Sequence, residues 1–314
     1  MQKRTLIRSI GLILASMIIT VSCSSGFQND EQEIVQNNGA LPNSLATESV
    51  MVSPTDTSTP EPTDIPFTPT PDLRPPPDQW QQWPIVPEIT NRAYEIYTLG
   101  NQTSVNRQAF SKIGDCQNVS DAFLGIYDKP GRYFLTPDNA DWQETIDNFS
   151  GYFDRDGLSF GQGLNVAAAL SPFQADQDVC NPSEGPLQCE LRIVMPSFAF
   201  VSFERWWNED TPPEVYEQYL RTIIDTVIEN GTIPILVTKA DNIEGGHRIN
   251  QIISNLAFEY DIPLYNWWRA ARLLPNNGMD PERNDGFHIS YDAWDLRSYY
   301  GLEILNNLWK GLQQ

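Results

Sequence analysis

The chain has few residues able to do nucleophilic or acid–base chemistry. It contains only two histidines and four cysteines. One cysteine, Cys116, ends the triplet Gly114-Asp115-Cys116, just past the strand-like run Phe110-Ser111-Lys112-Ile113. One histidine, His288, closes Asp285-Gly286-Phe287-His288 near the other end of the chain. A thiolate is a good nucleophile, and a neighbouring imidazole lowers a thiol's pKa. The second histidine, His247 in Glu244-Gly245-Gly246-His247, sits at a helix start, as a surface residue would. It shares its loop with Lys239 and Asp241, and that loop follows a strand end and so borders any cleft there. No zinc spacing, phosphate loop or dinucleotide fingerprint occurs, so neither a metal nor a cofactor is expected.

These residues need elements to bring them together. Tyr216, Leu220, Ile223, Ile224, Val227 and Ile228 recur at helical spacing after Thr211-Pro212-Pro213-Glu214, a capping box with proline in the first turn. Gly231 lies just past that helix. Ile233-Pro234-Ile235-Leu236-Val237-Thr238 then reads as a short strand buried on both faces. A helix from about His247 carries Ile249, Ile252, Ile253, Leu256, Ala257 and Tyr260, and Ile262-Pro263-Leu264-Tyr265 follows as a strand. Phe198-Ala199-Phe200-Val201-Ser202-Phe203 is a further buried strand, and a last helix spans about Ala293 to Leu312. Strands alternating with amphipathic helices imply an α/β fold: a parallel sheet covered on both faces, with ligands at the carboxyl ends of its strands.

The two motifs resemble the signature of the SGNH (GDSL-type) hydrolases, a Gly-Asp-Ser turn after the first strand with Asp-x-x-His near the C-terminus. The likeness runs from about Ala109 to Ser290. It implies a flavodoxin-like three-layer α/β/α sandwich with a parallel central sheet, and ester hydrolysis. It also places Cys116 where the family has its nucleophilic serine, His288 as general base, and Asp285 as the carboxylate that orients the imidazole. The family's oxyanion hole would be built from the Cys116 N–H, a glycine N–H and an asparagine side chain. Gly163 is the first choice for the glycine and Gly161 the second. Two departures stand out. Serine has become Cys116, and the block that should supply the asparagine reads Glu204-Arg205-Trp206-Trp207, with Trp206 at the asparagine position. Asn165 is the candidate replacement, and Asp115, Trp206 and Asn165 are expected to line the substrate pocket. The aromatic pairs Trp206-Trp207 and Trp267-Trp268 are core residues by default and sugar platforms where they face the cleft.

The N-terminus carries Lys3, Arg4 and Arg8, then an apolar run from about Ile10 to Val21, shorter than the roughly 20 residues of a membrane span. Thr20-Val21-Ser22-Cys23 resembles the lipobox of bacterial lipoproteins, which implies acylation of Cys23 and anchoring on the extracytoplasmic face of the cell membrane. An ordinary signal peptide is the alternative. Residues 1–22 are therefore expected to be a signal peptide, residues 23–79 a disordered Ser/Thr/Pro-rich spacer and residues 80–314 the domain. Cys180 and Cys189 flank a short loop and form a natural local disulfide in an exported protein. Cys116 then lies outside it, although a pairing of Cys116 with either of them, or an inert buried thiol, is the competing arrangement.

The 41 acidic against 20 basic residues give a net charge of −21 at pH 7. A chain this acidic is repelled by nucleic acid, which is excluded as a partner. Two functions of different class follow: a cell-surface ester hydrolase acting on acylated lipid or glycan, or a catalytically retired relative that binds a glycan or envelope component.

Overall fold

The computed structural model describes residues 73–161, 163–203, 212–283 and 285–313. Its sheet has four parallel strands in sequence order: β1 (Asn106–Gly114), β2 (Pro196–Ser202), β3 (Ile233–Val237) and β4 (Leu264–Tyr265). The helices are α1 (Asn91–Gln102), α2 (Trp142–Asn148), α3 (Pro186–Val194), α4 (Pro213–Glu229), α5 (Arg248–Glu259), α6 (Trp267–Ala271) and α7 (Tyr291–Gly311). Helix α4 touches both α3 and α5, and α7 touches both α2 and α6, so the helices form two layers with the sheet between them. This is the α/β architecture with a parallel central sheet that the alternating pattern required. Beyond β1, on the side away from β2, Phe160 makes a single parallel bridge to Gly114. That bridge stands where a flavodoxin-like sheet has an outer strand. Among the described residues no helix is long and apolar enough to cross a membrane.

The strands β2 and β3 are buried throughout, as their unbroken apolar runs demand. β4 is shorter than the run Ile262–Tyr265 suggested, because Pro263 has no N–H to donate at a sheet edge. The helix expected from Thr211 begins at Pro213, and Thr211 itself lies outside the described residues. All six of its periodic residues, from Tyr216 to Ile228, are buried. Gly231 is at φ +80°, and a Cβ there would meet Thr103 Oγ1 at 2.4 Å. The last helix starts earlier than expected, at Tyr291, because Ser290 caps it by accepting from the Ala293 N–H.

Two boundaries move. Residues 73–79, placed by composition in the spacer, pack on the domain. Arg74 donates to Ala257 O, Ile262 O and Asp261 Oδ1, and lies over the Trp83 and Phe258 rings. The loop assigned between Cys180 and Cys189 is in its second half the start of α3. Pro186 occupies the first helical position, and the Gln188 side chain reaches back to accept from the Gly185 N–H.

β1 buries polar side chains on both faces. Ser111 Oγ donates to Glu190 Oε1 of α3 at 2.6 Å. On the other face Lys112 is buried and donates to Phe153 O and Phe123 O at 2.9 and 3.3 Å. Burial, only partly offset by Asp156, Asp154 and Asp128, pulls its pKa down from 10.5 to about 8. Between those two values the unfolded chain holds a proton that the folded one has lost, so this group makes stability rise with pH across the window. At about 1.36 kcal/mol per unit the rise is on the order of 3 kcal/mol. Chemical denaturation at pH 7.5 and 9.5 should show the stability of wild type gaining on that of Lys112→Met as pH increases. A gap independent of pH would mean that Lys112 is not held in this way.

Candidate functional site

The turn carrying Cys116 is fixed by close backbone approach. Gly114 ends β1 at φ +147°, and a Cβ there would lie 1.7 Å from Ser202 O at the end of β2. No other residue fits. Asp115 follows, buried, with its Oδ1 accepting from the Gln117 N–H at 3.1 Å and its own N–H reaching Ser202 O at 3.4 Å. Expected to line the substrate pocket, Asp115 instead caps the 3-10 turn Cys116–Asn118. Its carboxylate is turned inward by that bond and only 1% of the residue is exposed. Cys116 itself is half-buried and outside any cystine, whereas Cys180 and Cys189 are joined in a disulfide.

Asp285 and His288 form a compact unit. Asp285 Oδ1 accepts from the backbone N–H groups of Phe287 and His288, each at 3.0 Å, and Oδ2 lies 2.7 Å from His288 Nδ1. Burial works to raise the Asp285 pKa, but the two N–H donors and the imidazole outweigh it and hold the carboxyl at about 2. The carboxylate is therefore ionised at any physiological pH. An ionised acceptor at Nδ1 keeps the proton on that nitrogen, which leaves Nε2 as the basic one. Gly286 sits beside Ile243 of the loop after β3, with 4.0 Å from its Cβ position to Ile243 Cγ1.

The two motifs meet through their neighbours. Gln117 Nε2 donates to Phe287 O at 3.0 Å, a buried hydrogen bond across a chain separation of 170 residues. Arg297, on the second turn of α7 and fully buried, donates to Gln117 O, to Ser202 Oγ at 2.9 Å and to Asn118 Oδ1 at 3.4 Å. Its guanidinium lies 4.4 Å from the Phe123 ring centre. Neither Gln117 nor Arg297 stood out in the sequence. A glutamine after a turn and an arginine within a helix carry no spacing signal, and only their burial reveals what they do.

The expected oxyanion donors fare unequally. The Gly161 N–H is taken by Gly114 O at 3.2 Å, so that second choice is withdrawn. Gly163 is exposed at φ +76°, and its N–H has no acceptor among the described residues. Asn165 Oδ1 accepts from the N–H groups of Ala167 and Ala168, so the amide oxygen caps the turn that follows. Its Nδ2, the atom that would donate to an oxyanion, has no acceptor among the described residues. Trp206 and Trp207 lie outside the described residues, as do Cys23 and the spacer through residue 72.

Other candidates are structural. Lys239 is buried and paired with Asp241 at 2.9 Å and Glu244 at 2.7 Å. The His247 ring packs edge-on against Trp80 and Trp268, and burial lowers its pKa. Trp267 is a core residue.

No family model and no curated protein matches this chain. Solved structures with some likeness include a GDSL-like lipase from Bacteroides thetaiotaomicron, at 12% identity and TM-score 0.40 over 69% of this chain and 98% of that one. A lipolytic protein of the G-D-S-L family from Desulfitobacterium hafniense overlaps at 15% identity and TM-score 0.40, over 63% of this chain and 99% of its own. A GDSL-like lipase from Parabacteroides merdae does so at 11% and 0.42, over 65% and 98%. Overlaps this loose establish no activity, and the strand pairing described above carries the fold on its own.

Arg297 should be the costliest of these positions to lose. Arg297→Leu strips donors from three buried acceptors and is expected to cost about 3 kcal/mol or more in urea denaturation. A loss below about 1 kcal/mol would show that the turn holds itself.

Proposed function

We propose that the chain is a divergent SGNH-type ester hydrolase in which Cys116 is the nucleophile, His288 the general base and Asp285 the residue that orients it. In the proposed reaction His288 Nε2 takes the Cys116 thiol proton, and the sulfur attacks the ester carbonyl carbon. The resulting oxyanion accepts from the Cys116 and Gly163 N–H groups. Collapse breaks the bond to the alcohol oxygen, which leaves with the proton held on His288. Water, deprotonated by the same imidazole, then attacks the thioester, releasing the acid and restoring the thiol. The single observation that carries this reading is the Gln117–Phe287 hydrogen bond, which joins the residue after Cys116 to the residue before His288. The chemistry needs nucleophile and base on converging turns, and that bond makes the turns converge.

The place of action belongs to the same proposal: outside the cytoplasm, anchored through an acylated Cys23. Support comes from the Cys180–Cys189 disulfide, a bond at home in oxidising compartments. A second reading, a retired hydrolase that binds a glycan without turnover, draws on the third oxyanion donor. Trp206 stands at the sequence position of the family's asparagine, and losing one such donor costs about 100- to 1,000-fold in rate.

Hydrolysis of p-nitrophenyl acetate tests the first reading. Cys116→Ala and His288→Ala should each lower kcat/KM by about 1,000-fold or more, and Asp285→Asn by about 100-fold or more. Folded wild-type protein with no turnover on aryl, lipid or glycan esters would sink it. Iodoacetamide labelling of Cys116 near neutral pH gives an independent measure, since it should slow several-fold in His288→Ala if the imidazole draws off the thiol proton. Equal labelling rates would leave the imidazole out of the thiol's reach.

A further inference from the structure

Along α7, the helix that follows the His288 turn, lies a surface groove of about 460 Å³, within the usual small-molecule range of about 300–1,000 Å³. One wall is the first three turns of α7, with Asp292, Asp295, Leu296 and Tyr299 on one helical face. The facing wall holds Tyr127 and Tyr133, from the segment that leads away from the Cys116 turn. Both walls belong to elements already tied to the site. Asp292 is four residues past His288 in sequence, and the Leu124 N–H donates to Ser298 Oγ of α7 at 2.9 Å, locking the walls together.

Tyr127 is the informative residue. Its ring is wedged edge-on against Tyr133 and Phe153, at 5.4 and 5.8 Å between ring centres, and only 8% of the residue is exposed. Its phenol makes no hydrogen bond to another described residue, and the residue lines the groove. Burial and the nearby Asp295 carboxylate push its pKa up, so the group remains an O–H donor. Asp292 and Asp295 add exposed acceptors, and Leu296 and the Tyr299 face add apolar surface.

We propose that this groove is the subsite for a neutral sugar ring, the glycan portion of the ester substrate. A pyranose presents an apolar C–H face and a rim of hydroxyls. The tyrosine and leucine side chains suit the face, the two carboxylates accept from vicinal hydroxyls, and the Tyr127 phenol donates to a ring or hydroxyl oxygen. An anionic ligand is disfavoured by Asp292 and Asp295, and a fatty chain would leave both acids and the phenol unanswered. The inference rests on the ester-hydrolase reading for its connection to turnover, but not for the binding itself.

The test separates the two. Tyr127→Phe and Asp295→Asn are near-isosteric and lie outside the triad. Binding of xylohexaose, cellohexaose, chitohexaose and, as a cationic control, tetramethylammonium chloride is measured by saturation-transfer NMR and calorimetry on the full domain. At least one hexasaccharide should bind, about tenfold more weakly in each variant, the loss expected for one hydrogen bond made in a partly desolvated site. With an O-acetylated form of that sugar kcat/KM should fall by the same factor, while p-nitrophenyl acetate turnover stays unchanged. Absence of binding by all three sugars, binding indifferent to both substitutions, or binding of tetramethylammonium alone overturns the sugar subsite. If wild type fails to hydrolyse p-nitrophenyl acetate, the hydrolase reading falls and the binding arm alone decides the groove.

Discussion

The site depends on one buried guanidinium. Taking Arg297 out of water costs several kcal/mol, and the cost is recovered only if its donors are answered. Two of its nitrogens are answered, by the turn after β1 and by the end of β2: Gln117 O, Asn118 Oδ1 and Ser202 Oγ. Because the fork is planar and rigid, it fixes where α7 lies relative to the Cys116 turn as well as that the two touch. The backbone carbonyl of Arg297 in turn accepts from the Tyr265 hydroxyl at 3.0 Å, which ties the same helix to β4. One side chain and its own carbonyl thus connect β1, β2, β4 and the helix that His288 leads into.

The two halves of the candidate site are made differently. The histidine half is local: Asp285 gathers the N–H groups of Phe287 and His288 and the imidazole within four residues. The cysteine half is non-local, since its turn is shaped by Ser202 from β2 and by Arg297 from α7. A local unit keeps its geometry when the rest of the domain relaxes, whereas the turn does not. The distance between thiol and imidazole is therefore governed by long-range packing, and the Gln117–Phe287 bond is where that packing reaches the chemistry.

The same distinction explains what could be read from the sequence. β2, β3, α4 and α5 were legible because each is an uninterrupted run or a full amphipathic period, and burial follows directly from either pattern. Helices α1, α2, α3 and the five-residue α6 were missed. α1 mixes Tyr94, Thr98 and Asn101 into its faces and has only three buried residues, α2 is seven residues long, and α3 hides inside the interval between two cysteines. The motifs around Cys116 and Asp285 were visible because residue type and spacing are local properties. Asp115 was misassigned for the converse reason. Type alone does not distinguish a carboxylate that faces substrate from one that caps a turn, and Asp115 caps. Gln117, Arg297 and Tyr127 have no sequence signature, because their significance lies in burial and in which partner they have or lack.

The polar residues inside β1 fit this division and extend it. Where an outer strand would pair along the free side of β1, the chain offers a single bridge at Phe160, and such a segment would ordinarily be loose. Side chains compensate. Glu190 of α3, fully buried, accepts from Ser111 Oγ of β1, from the Leu158 N–H at 2.9 Å and from Arg155. On the opposite face Lys112 holds Phe153 O. The 153–161 segment is therefore clamped from both layers by charged groups reaching through or along β1, and its Ser159 O and Gly161 N–H bracket Gly114. A ladder of backbone bonds would make this edge rigid at little desolvation cost. The chain instead buries an acid and a lysine, and half-buries an arginine, to obtain the same rigidity. That expense is intelligible if the segment must present Gly163 next to a turn whose backbone has no room to shift.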